Sequence, residues 1–165
     1  RLIGEGFRTL KLKVGRADLD SDIRAVRTIS ELLDNKVAIR LDANRAWSLD
    51  DALGFAEGVE GCEIEYIEEP LRDVAALRGF AEGAQLPVAL DETTREINPD
   101  QIAAFDFASA IVLKPTLLGG LERAAAFART AEKSGLKTVI TSAFESPVGI
   151  AALATFFATA RAGSG

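Results

Sequence analysis

The sequence predicts a parallel α/β protein of the (β/α)8 TIM-barrel type, and three observations carry that expectation. Short apolar or β-branched runs alternate with longer amphipathic stretches along the whole chain. The alternation recurs six times with no linker or low-complexity segment to divide it. A charged or hydroxyl residue closes every candidate strand. The first two observations suit either an open doubly wound sheet or a barrel. The third separates them, because the strand ends of a barrel converge on one mouth, whereas an open sheet spreads them along an edge.

In chain order, the candidate strands are "RTLKLKV" (8–14), "KVAIRLD" (36–42), "CEIEYIEE" (62–69), "LPVALD" (86–91), "SAIVLK" (109–114) and "KTVITS" (137–142). Each is a short run rich in Val, Ile, Leu or Thr, as a strand requires. Candidate helices lie near 18–34, 48–59, 73–83, 98–105, 119–134 and 147–160. Ser48 opens "SLDDAL" with acidic residues in the first turn, and Asn98-Pro99-Asp100 reads as a cap followed by proline at the first helical position. Residues 1–165 are accordingly read as one partial (β/α)-barrel catalytic domain of about six β/α units, where a full barrel has eight and runs to about 200 residues or more.

Composition narrows the function classes. A net charge of −6 and a pI near 4.8, with no basic run, argue against a nucleic-acid partner and against an anionic membrane surface. The apolar runs are short, and "RLIGEGF" lacks the form of a secretory leader, so a cytoplasmic protein is expected. The single cysteine, Cys62, has no partner for an internal disulfide. The absence of histidine is the sharper constraint. A general acid or base must then be Lys, Asp, Glu, Tyr or Cys, and a metal site must be built from oxygen, which favours magnesium, manganese or calcium over zinc or copper.

The residues that close the strands are Lys13, Asp42, Glu68, Asp91, Lys114 and Ser142, at intervals of 29, 26, 23, 23 and 28, which is the strand repeat itself. Three carboxylates from consecutive strand ends repel one another unless a cation holds them, and two or three carboxylates with water and substrate suit the octahedral preference of magnesium. Taken singly, Asp42 in "LDAN" and Asp91 in "LDET" also suit capping of the adjoining turns, and Glu68 with Glu69 before Pro70 suits a solvated strand end. Lys114 follows four apolar residues, where partial desolvation lowers an ammonium toward a usable base or a Schiff-base nucleophile; a snorkelling lysine is the plainer alternative. Lys11 and Lys13, two apart on a strand, share a face and call for nearby negative charge. Arg40 shares a face with Asp42 in the same way.

At these residues the sequence resembles the enolase superfamily in its muconate-lactonizing subgroup. "KLKVG" is similar to the family's Lys-x-Lys strand, "RLDANRAWS", "IEEP" and "LDET" to its three metal-ligand segments, and "VLKPTLLGG" to its second catalytic lysine. "TSAFESPVG" is similar to a substrate-contacting segment of the branch that dehydrates a hydroxy-cyclohexadiene carboxylate. The resemblance implies that Asp42, Glu68 and Asp91 bind Mg2+ (or Mn2+), that Lys13 abstracts the proton, and that Lys114 faces it across a small-molecule carboxylate. Lys11 and Arg40 would support them, with Asn44, Ser142 and Glu145 contacting substrate. It further implies a carbon–oxygen lyase, and an N-terminal capping domain for which this sequence has no counterpart.

Three other functions remain open on these residues. A racemase or epimerase of N-acylamino acids or dipeptides would use the same two lysines and one metal. A Schiff-base aldolase would use Lys114 without a metal, and would be trapped by borohydride. A barrel-like interaction module would bind no Mg2+.

Overall fold

A computed structural model describes residues 5–34 and 36–162. The first residues of "RLIGEGF", on which the expectation about a leader rests, lie outside them, as do Asn35 and residues 163–165. By its contacts the chain divides into two compact units, Arg1–Ala89 and Leu90–Gly165.

The first unit carries β1 (Thr9–Lys13), α1 (Leu19–Leu33), β2 (Ala38–Asp42), α2 (Leu49–Gly58), β3 (Ile64–Glu68), a 3-10 turn at Val74–Ala76 and α3 (Leu77–Gly83), and it ends within β4 (Val88–Leu90). Its strands pair in parallel and in sequence order, Lys13 opposite Asp42, Asp42 opposite Glu68 and Glu68 opposite Ala89. Parallel neighbours joined by a helix are what the strand–helix alternation requires.

Local chemistry sets the helix boundaries. Asp18 caps α1 by accepting the Ser21 amide at 2.9 Å, and Asp34 ends it in the left-handed region at φ 50°. Ser48 and Asp51 form a reciprocal capping box at the start of α2. Helices and strands bury one core, in which Ile39, Leu41, Phe55, Ile67, Leu77 and Phe80 are almost wholly inaccessible. Trp47 packs on Phe55 with ring centroids 4.5 Å apart.

The second unit begins within β4 and carries α4 (Thr93–Glu96), a 3-10 helix Pro99–Phe105, β5 (Ala110–Leu113), α5 (Pro115–Leu118), α6 (Leu121–Lys133), β6 (Lys137–Ile140) and α7 (Pro147–Ala162). β5 and β6 pair in parallel from Ala110 opposite Lys137 to Leu113 opposite Ile140. All four residues of β5 are buried, and Ala124, Phe127 and Ala131 of α6 belong to the same core. The candidate helix at 98–105 is of the 3-10 type; Asn98 and Gln101 make its capping box and Pro99 its first residue. No helix among the described residues is long and apolar enough to cross a membrane.

Candidate active site

The carboxyl ends of β1, β2 and β3 gather charge in two cross-strand rows. Lys11, Arg40 and Tyr66 are register partners in one row, and Lys13, Asp42 and Glu68 in the next. Successive residues of a strand point to opposite faces, so both rows lie on one face while Ile39, Leu41 and Ile67 are buried on the other.

Side chains within these rows are tightly connected. The Lys11 ammonium donates to Glu68 Oε2 at 2.6 Å and lies 3.0 Å from Asp42 Oδ2. Lys13 reaches the same Asp42 oxygen at 2.9 Å and donates to Asn44 Oδ1 at 2.6 Å. Two lysines side by side therefore share one carboxylate, with a second beside it, which supplies the counter-charge their spacing calls for. Asp42 and Glu68 are 2% and 1% exposed. Burial alone would lower the Lys11 ammonium, but the hydrogen bond and charge of Glu68, with those of Asp42, outweigh it and hold the group above its usual value. Burial would likewise raise the Asp42 carboxyl, and the hydrogen bonds from Lys13 and Lys11 instead keep it below the ordinary aspartate value. Arg40 donates to Glu65 at 2.7 Å and stands 5.1 Å from the Tyr66 ring centroid. Burial pushes the Tyr66 phenol up to about 12.

The remaining predicted residues belong to the second unit. Asp91, 1% exposed and immediately after β4, takes an ion pair from the Lys114 ammonium. Lys114 is the residue that caps α5. Glu145 accepts from the Thr116 hydroxyl, which lowers its carboxyl below the usual range, and also from the Ala143 amide. Ser142 is exposed two residues past β6.

The structure thus brings together Lys11, Lys13, Asp42, Asn44 and Glu68 in the first unit and Asp91 with Lys114 in the second, while Glu145 turns to Thr116. Sequence reasoning misses two groups. Glu69 suits a solvated strand end there, yet it is fully buried and accepts from Arg45 Nε at 3.1 Å. Thr116 carries no sequence signal that sets it apart from an ordinary helix-start residue.

Among the described residues no group of three or more Asp, Glu, Cys or His side chains is gathered as a metal site. The donor chemistry nonetheless suits a hard divalent cation. Asp42 Oδ1 is buried without a hydrogen-bond partner, and an orphaned carboxylate oxygen among oxygen donors is what such an ion would satisfy.

Parallel strand–helix units whose strands end in lysines and carboxylates define the class of barrel proteins that do polar chemistry at their strand ends. The chain belongs to the enolase C-terminal domain-like family, whose sequence profile matches residues 1–164. Its fold class is therefore that family's (β/α)8 barrel, represented among the described residues by six strand–helix units and so incomplete. It is 38% identical over 152 residues to an o-succinylbenzoate synthase of Yersinia pseudotuberculosis, a match spanning 90% of this chain and 46% of that protein. The structure resembles that of MenC from Desulfotalea psychrophila (TM-score 0.85, 31% identity, 97% of this chain and 46% of that one). It also resembles a substrate-liganded L-Ala-D/L-Glu epimerase of Bacillus subtilis (TM-score 0.83, 30% identity, 93% and 44%). The chain spans about half the length of these relatives.

Proposed function

We propose that the chain carries the proton-transfer site of a Mg2+-dependent o-succinylbenzoate synthase, a lyase that dehydrates a hydroxy-cyclohexadiene carboxylate. The observation that supports this most is Lys13, held 2.9 Å from Asp42 and 2.6 Å from Asn44 at the strand ends where catalytic groups of a barrel belong. The identity to a curated synthase supports the particular reaction.

In this reading Asp42, Glu68 and Asp91 would hold the magnesium ion, with manganese as a substitute. When bound, the ion would supply positive charge beside the substrate carboxylate as its neighbouring carbon loses a proton. Lys13 takes the proton on Nζ and returns it to the departing hydroxyl, so that one water leaves and the lysine is regenerated. Asn44 fixes the Lys13 amine by accepting its hydrogen bond. Lys11, already bridging Asp42 and Glu68, offsets their negative charge. Lys114 contributes positive charge toward the developing anion, and Ser142 and Glu145 belong to the substrate-contacting segment. The setting is cytoplasmic, the product a precursor of menaquinone, and the substrate a small molecule, with no nucleic acid or membrane involved. Residues 1–165 act as part of the catalytic barrel.

A second reading is favoured by the likeness to the dipeptide epimerase. With Lys13 removing a proton from one face and Lys114 returning one to the other, the same residues would racemise an N-acylamino acid or epimerise a dipeptide.

The test uses the purified full-length protein and the cyclohexadiene precursor with Mg2+, following loss of the diene absorbance beside a Lys13→Ala variant. Mg2+-dependent conversion that vanishes in the variant supports the synthase. Absence of conversion, with α-deuterium exchange into N-acylamino acids or dipeptides, moves the assignment to the second reading.

A further inference from the structure

Past the end of β2 the chain does not leave β3. The Ala43 amide donates to Glu68 O at 3.1 Å, Arg45 to Glu69 O at 2.7 Å, Trp47 to Pro70 O at 3.2 Å, and Arg72 back to Trp47 O at 3.0 Å. This zipper continues the β2–β3 pairing through a turn that strands cannot make. Asn44 and Arg45 sit at φ 45° and 59°, and Glu69 at 41°. None is glycine, and Glu69 precedes Pro70, which further restricts its backbone. Left-handed residues of this kind cost on the order of 1–3 kcal/mol each and persist only where the surroundings over-determine them.

A two-point grip holds them. Arg45 binds Glu69 through its backbone amide and again through Nε at 3.1 Å, while the Glu69 amide donates to Ala89 O at 3.1 Å. The Glu69 side chain is wholly buried, and the guanidinium of Arg45 pairs with it there. The strained turn that this grip fixes is the one that presents Asn44 Oδ1 to Lys13, and Glu69 is covalently next to Glu68. From the opposite side, Gly15 leaves room for nothing but hydrogen against Ala46.

We propose that Arg45 and Glu69 are positioning residues: their ion pair clamps the β2 loop to the end of β3 and thereby holds Asn44 against Lys13 and Glu68 in its orientation. The inference rests on the reading of Lys13 as the base. Neither clamp residue touches a reacting atom, so their loss reduces turnover through misplacement, where a shift of about 1 Å costs up to about a hundredfold.

The experiment compares wild type with Arg45→Met, Arg45→Lys, Glu69→Gln and the double variant Arg45→Met/Glu69→Gln in the full-length protein. It measures kcat and KM together with backbone amide hydrogen exchange. Arg45→Met is expected to lower kcat about ten- to hundredfold with KM within about threefold, and to expose the amides of Ala43, Arg45 and Trp47 to exchange while α1 stays protected. Arg45→Lys, which keeps the charge, recovers most of the turnover. The double variant, which removes both charges of the pair, remains folded yet is as slow as Arg45→Met. Wild-type kcat in the double variant overturns the clamp, as does a loss that tracks a global fall in protection. If the wild type proves inactive on every carboxylate offered, the proposed function fails and the clamp is judged by exchange alone: selective exposure of 43–47 upholds it, and unchanged protection refutes it.

Discussion

Gly15→Ala tests how closely the loops after β1 and β2 are fitted. Gly15 has φ +77°, and its amide donates to the buried Asp22 carboxylate at 2.7 Å, which pins the backbone there. A Cβ built on this backbone lies well inside the about 3.5–4.0 Å that carbon atoms ordinarily keep from one another where it meets the Ala46 Cβ, and stands 3.2 Å from Ala43 O. Ala46 cannot retreat freely, because its own amide is bonded to Ala43 O and its neighbours are zipped to β3. The left-handed backbone costs alanine about 1–2 kcal/mol, and relieving the overlap about 1–3 kcal/mol more. The reduced freedom of the unfolded chain offsets about 0.4–1 kcal/mol. A net loss of about 1–5 kcal/mol results, or a fall in Tm of about 2–20 °C for a chain of this size. Two other glycines separate the contributions. Gly61 has φ +84° with nothing within 4 Å of a Cβ, so Gly61→Ala carries the backbone cost alone. Gly79 lies in α3 with open space and no positive φ, and Gly79→Ala should stabilise by about 0.5–1 kcal/mol. Urea unfolding of the purified protein, followed by Trp47 fluorescence and circular dichroism, should rank Gly79→Ala above wild type, and Gly15→Ala below Gly61→Ala. A Gly15→Ala protein as stable as Gly61→Ala would refute the close approach.

Lys11→Met leaves two buried carboxylates without the ammonium between them. With the wild-type lysine side chain 39% exposed, and so partly screened, the expected loss is about 1–2 kcal/mol at neutral pH. The depressed Asp42 carboxyl contributes stability above its unfolded value that is lost as pH falls through the folded one, and the raised Lys11 contributes below 10.5 stability that is lost as pH rises past its folded value. The variant should therefore show a shallower stability profile on both the acid and the alkaline side; a profile of unchanged shape counts against the pairing. Ser48→Ala removes the acceptor of the Asp51 amide and half of the capping box, and should cost about 1 kcal/mol by denaturant unfolding. A variant as stable as wild type would mean that α2 is held by packing alone. Phe55→Ala, which opens a cavity beneath Trp47, should cost about 3–5 kcal/mol and change the Trp47 emission. Unaltered emission would contradict the stacked pair.

Much of this architecture is legible in the residues. Each strand lies inside its predicted run, because a short apolar stretch between turn signals leaves little choice of period. The strand-closing residues are legible for the same reason: Lys13, Asp42 and Glu68 are each the last residue of a strand, and Asp91 and Lys114 come directly after theirs. Less visible are the two single-turn helices, Thr93–Glu96 and Pro115–Leu118, which are too short to show a helical period. Glu69 is hidden because an acidic residue before proline is ordinary at a solvated strand end, whereas tertiary pairing buries it and brings the distant Arg45 alongside. The partner of Glu145 is likewise a matter of tertiary placement, 29 residues away at Thr116.

One feature of the site depends on neither composition nor spacing. From Ile39 opposite Ile64, regular pairing would set Arg40 beside Glu65 and Asp42 beside Ile67. The register shifts between Ile39 and Arg40, so that Arg40 faces Tyr66 and Asp42 faces Glu68. Because strand faces alternate, a slip of one residue exchanges the two faces of β3 relative to β2. Without it, Ile67 would stand beside Asp42, and Glu68 would point to the face that packs the core, where an unpaired carboxylate is untenable. The extra residue is Glu65, and Arg40 Nε binds its carboxylate at 2.7 Å while the guanidinium stands 5.1 Å from the centroid of the Tyr66 ring beyond it. A bulge of this kind re-aims the side chains beyond it. The charge of Arg40 is thus engaged one row below Asp42, at the register shift that lets Lys11 reach both Asp42 and Glu68. The meeting of these two carboxylates is a property of a single irregular step in the β2–β3 ladder.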